Sequence, residues 1–180
     1  LRDEMLVDIN ELLDSTESVK SYEVQKLMYL GQNNVRFNDE KEGRIEEGTI
    51  IIHGDENLTV NFFLDDNSIL KEVKEGEIYI NGTYAEQYGL KKGDKITINK
   101  YGSFEFTFAG SVKDAMFGSS GNNMFRCIIS EKDFERIYEN NPTNQLWGGK
   151  FIYVETDNPQ SVIDEVFPKA SNAVIEAVGR

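Results

Sequence analysis

Three phenylalanines at alternate positions constrain this chain more than any other feature. Phe104, Phe106 and Phe108 lie in Ser103–Val112 (SFEFTFAGSV), separated by Glu105 and Thr107. Successive side chains of a β-strand point to opposite faces, so this spacing gives one strand an aromatic face and a polar face. A helix would turn Phe106 away from Phe104 and Phe108. Such a strand has to cover its aromatic side, and the preceding residues supply partners. Lys95–Asn99 (KITIN) alternates in the same way, and Tyr101-Gly102 marks the turn between the two strands. In the turn Lys91-Lys92-Gly93-Asp94, Gly93 can take a positive φ and Asp94 can accept backbone hydrogen bonds. Thr83–Tyr88 reads as a short helix ended by Gly89, and Glu77–Asn81 (EIYIN) as one more strand. Residues 77–114 are therefore expected to form a small antiparallel, barrel-like hairpin subdomain.

The rest of the chain reads as alternating short elements. Leu1, Met5, Leu6, Ile9, Leu12 and Leu13 recur at three-to-four spacing and predict an amphipathic helix over 1–14. Residues 19–30 read as a strand with Tyr22, Val24 and Met28 on one face, and the polar stretch 31–48 as a loose hairpin around Val35 and Phe37. Thr49–His53 is a strand, and Asp65-Asp66-Asn67 a solvated turn. Arg126–Ile129 is a buried strand, followed by a helix that Ser130 caps. Phe151–Glu155 is a strand, and Pro159 opens a last helix. The 180 residues fit one domain, 1–180. The expected fold class is α+β: a mixed, mostly antiparallel sheet with a small barrel-like hairpin subdomain and peripheral helices.

Charge and residue inventory narrow the function. The chain carries 19 basic and 32 acidic residues, a formal charge of −13. It has no basic block, so it is expected to bind no nucleic acid. Its one histidine, His53, abuts a strand, and its one cysteine, Cys127, lies in the apolar run Cys127-Ile128-Ile129. Neither spacing fits a Ser-His-Asp or Cys-His site, a thiolate metal cage or a disulfide. No glycine-rich nucleotide loop is present. The reading is a noncatalytic domain with no catalytic residues, no cofactor and no metal.

What remains is surface. Met116, Phe117, Met124 and Phe125 bracket a glycine- and serine-rich loop over 113–125, and Leu146 and Trp147 lie in a second loop. Methionine and aromatic side chains in loops suit contact with a partner or substrate. The bland alternative is that these six side chains fold back and cap the aromatic sheet.

The segment Glu77–Asp114 resembles the extracytoplasmic domain of FtsX-like/MacB-like permeases of ABC-type exporters. The resemblance rests on Gly89-Leu90-Lys91-Lys92-Gly93-Asp94-Lys95-Ile96-Thr97-Ile98, on the strand ending at Phe106–Gly110, and on the downstream order of elements. That order is Ser130-x-x-Asp133-Phe134, a strand at Ile152–Glu155, and Asn158-Pro159 opening a helix. It covers most of residues 70–168. The resemblance implies a domain on the extracytoplasmic side of a bacterial cell membrane, held by one transmembrane helix before Leu1 and another after Arg180. A chain starting at Leu1 rather than Met reads as an excised piece of such a protein. Implied partners are these transmembrane helices, a cytoplasmic ATPase subunit, a second copy in a homodimer, and an exported peptide, lipid or lipoprotein. The same Gly-Asp turn occurs in swapped-hairpin (AbrB-like) regulators and in double-psi barrels. A regulatory binding domain is therefore the alternative function.

Overall fold

The structure is a computed structural model that describes residues 9–40, 42–43, 45, 48–54, 62–113, 124–140, 148–166 and 168–169. In chain order these form α1 (Ile9–Asp14), β1 (Ser21–Tyr29), β2 (Val35–Phe37), β3 (Gly48–Gly54), β4 (Phe63–Leu64), β5 (Glu77–Asn81) and α2 (Gly82–Gln87). There follow β6 (Lys95–Ile98), β7 (Phe104–Lys113), β8 (Met124–Ser130), α3 (Glu131–Glu139), β9 (Gly148–Glu155) and α4 (Pro159–Val166). The fold is α+β, with mostly antiparallel strand pairs and one curled, half-barrel sheet. The chain divides into two compact units, residues 25–151 and residues 1–24 with 152–180.

In the unit of residues 25–151 the strand order is β2-β6-β7-β5-β8-β3-β1, with β4 also on β7. The aromatic strand forms as its alternation demands. Phe104, Phe106 and Phe108 are buried while Glu105 and Thr107 are exposed. Opposite them, Ile98 pairs with Phe104 and Ile96 with Phe106. This face joins Ile78, Ile80, Ile51, Met28, Cys127 and Ile129 in the main core, closed by Tyr84 and Ala85 of α2 and by Phe134 and Ile137 of α3. Each buried apolar side chain contributes roughly 1.5–3 kcal/mol, so this face dominates the unit's stability.

The turn before β6 has the predicted chemistry. Gly93 takes φ +96°, and the Asp94 carboxylate accepts the Lys91 N–H at 2.8 Å. The Gly93 N–H donates to the Phe108 carbonyl, and the Phe108 N–H to the Asp94 carbonyl, which fastens the turn to β7. A Cβ on Gly93 would meet nothing within 4 Å. Gly93→Ala is therefore expected to cost about 1–2 kcal/mol through backbone strain alone, read by chemical denaturation. A neutral result would place the turn in another conformation.

Two sequence expectations are corrected. The stretch around Val35 and Phe37 is not a hairpin of its own. As β2 it runs antiparallel to β6, with Val35 opposite Ile98 and Phe37 opposite Ile96, and both residues are buried. An apolar pair two residues apart can bury only where another apolar face awaits it, and β6 supplies that face. The sheet of residues 77–114 is not wholly antiparallel. β5 runs parallel to β7 and antiparallel to β8, because two reversals, at α2 and at residues 99–103, return the chain to its first direction. β3 and β8 are also parallel, from Gly48 opposite Met124 to Gly54 opposite Ser130.

A register shift between Ile78 and Tyr79 sets Ile78 opposite Phe108 but Tyr79 opposite Gly110, leaving Ala109 as an extra residue. A bulge of this kind exchanges the faces of a strand. Phe108 accordingly serves the main core. Val112 packs in a second cluster with Phe62, Val73 and Ile128, and with the half-buried Tyr79, Leu27 and Tyr29.

Residues 1–24 and 152–180 make up the other unit. Leu12 and Leu13 of α1 are buried with Val166 of α4, and Ile9, Val19, Tyr22, Ile152, Val154 and Val162 pack around them. The hydroxyls of Ser15 and Thr16 donate to the Leu12 carbonyl at 2.9 and 2.8 Å, competing with further helix at the end of α1. Pro159 begins α4, and the Asn158 carboxamide oxygen accepts the Ser161 N–H at 3.2 Å as its cap. The predicted helix over 1–14 is described from Ile9 onward.

Candidate functional site

The residues suited to partner contact fall into three groups. Met116, Phe117, Leu146 and Trp147 lie outside the described residues. Met124 opens β8, opposite Gly48, and its side chain is outside the description. Phe125 belongs to the same strand. It is fully buried, with its ring 5.4 Å from Tyr84 in an edge-on pair and 6.2 Å from Phe37. Phe125 is thus a packing residue of the core. The strand begins two residues before the expected start at Arg126, because the parallel neighbour β3 extends the pairing to Met124.

Around the second cluster, the structure exposes a surface that the sequence reading passed over. Residues 62–70 form a tight hairpin. The Leu70 N–H donates to the Phe62 carbonyl and the Leu64 N–H to the Ser68 carbonyl, with Asn67 at φ +65° in the turn. Asp66 accepts both the N–H and the hydroxyl of Ser68, and these bonds hold its carboxyl below the usual carboxylate range. The Lys113 ammonium donates to the Asp65 carbonyl at 3.0 Å and to the Asn67 side chain at 2.7 Å. Phe62 packs inward, and Phe63 and Ile69, opposite each other, are 39% and 42% exposed. The signal was present in Phe62-Phe63-Leu64: with Phe62 and Leu64 directed to the core, alternation sends Phe63 outward. A shallow groove of about 490 Å³ runs past Asp65, Gly82, Glu86, Leu90, Lys91 and Ser111.

Two buried reactive groups among the described residues, the Asp133 carboxylate and the Cys127 thiol, sit in packed surroundings. Among the described residues, Asp133 is the buried carboxylate, and its oxygens are taken up by three partners. The Gly76 N–H donates to Oδ2 at 2.7 Å, the Ser130 hydroxyl donates to the same oxygen at 2.7 Å, and Arg136 pairs with Oδ1 at 2.9 Å. In return the Asp133 N–H donates to Ser130 Oγ, so Ser130 caps α3 as expected. Arg136 also lies over the Phe104 ring at 5.5 Å. Cys127 is fully buried, and burial pushes its thiol far above the ordinary range. Maleimide is expected to leave Cys127 unmodified in the folded protein and to modify it after denaturation. Equal labelling rates in both states would contradict its burial. His53 pairs through its backbone opposite Ile129, and its side chain is outside the description. Among the described residues, no three His, Cys, Asp or Glu side chains are grouped to hold a metal, and no helix is long and apolar enough to cross a membrane.

No family model matches the chain, and no curated protein matches it. Among solved structures it is similar to the crystal structure of a domain assigned to a permease protein of Porphyromonas gingivalis. The TM-score is 0.45 and the identity 13%, over 86% of this chain and 70% of that one.

Proposed function

We propose that the chain is a noncatalytic extracytoplasmic domain of an FtsX-like/MacB-like ABC-type export permease. The observation that supports this reading is the shared core of the first and last described elements. Leu12 and Leu13 of α1 pack with Val166 of α4. Backbone and side-chain bonds tie the same two segments together: the Lys20 N–H donates to the Glu155 carbonyl at 2.9 Å and the Thr156 hydroxyl to the Ser18 carbonyl at 2.6 Å. A domain inserted between two membrane helices must receive the chain and return it at one place, and one unit built from residues 1–24 and 152–180 meets that requirement. The sequence resemblance over 70–168 supplies the family.

On this proposal, flanking transmembrane helices transmit the motion of a cytoplasmic ATPase subunit to the domain. Met116, Phe117, Leu146 and Trp147, with Met124, meet an exported peptide, lipid or lipoprotein. The test is accessibility in the parent protein in its own cells. Lys91 is exposed, and Lys91→Cys should react with a membrane-impermeant maleimide in intact cells, while buried Cys127 gives no background. Labelling of Lys91→Cys only after lysis would overturn the extracytoplasmic placement.

A further inference from the structure

We draw no further inference here: the strongest candidate, the exposed apolar pair Phe63 and Ile69 on the 62–70 hairpin, carries nothing because nothing in the structure shows what covers it.

Discussion

Phe106→Ala is expected to lower the unfolding free energy by about 3–5 kcal/mol, the largest loss for a single side chain in the aromatic strand. Phe106 is 2% exposed and opposes Ile96 across the β6–β7 pair. Truncation removes the transfer energy of a whole ring. It also leaves a cavity between β6, β7 and the helices, whose other residues are held by their own strands and cannot collapse into it. Domains of this size are stable by about 5–15 kcal/mol, so the variant should approach marginal stability. Thr107→Ala, one position along and exposed, should cost less than about 1 kcal/mol. Urea denaturation of the two variants tests the phase of the strand. Equal midpoints for Phe106→Ala and the parent protein would show that the aromatic face is not buried.

The second large effect is expected at Asp133. Asp133→Ala removes the acceptor for the half-buried Gly76 N–H and the buried Ser130 hydroxyl, and it also breaks the pair with Arg136. Buried donors left without partners cost about 1–3 kcal/mol each, so a total near 3 kcal/mol is expected. Arg136→Ala isolates the exposed part of the network. The arginine side chain is 50% exposed, and its removal should cost only about 0.5–1 kcal/mol. The ranking is the test: if Arg136→Ala destabilises as much as Asp133→Ala, the ion pair and not the buried hydrogen bonds holds α3 to the segment before β5. The Ser130-x-x-Asp133 spacing that entered the family resemblance thereby acquires a physical task. It caps α3 and clamps residue 76, fifty-seven positions away in the chain.

The candidate contact surface was only partly legible. The composition of 113–125 reads as a loop, but the start of β8 is decided by β3, which pairs with Met124 and Phe125 and draws Phe125 into the core. A methionine or aromatic residue beside a glycine-rich stretch reads the same whether it faces a partner or a neighbouring strand. Burial of Phe125 against Tyr84 and Phe37 is information held by residues about 40 and 90 positions earlier. The exposed Phe63 could have been found, since its two neighbours share the apolar character that alternation allows to only one face.

The sequence by itself determined what depends on near neighbours. The phase of β7 follows from the spacing of Phe104, Phe106 and Phe108, and the turn at Gly93-Asp94 from a positive φ and a short acceptor. The cap at Ser130 and the start of α4 at Pro159 depend on hydrogen bonds spanning three residues. Tertiary structure alone decided which strands pair and in which direction. β2 joins β6, β5 runs parallel to β7, β3 runs parallel to β8, and α1 shares a core with α4. The physical reason is that a period of two specifies a strand and its apolar face but is identical for every neighbour that could cover that face. The choice falls to the arrangement that buries the most apolar surface while satisfying every backbone donor and acceptor, and that balance is struck only when the whole chain is assembled.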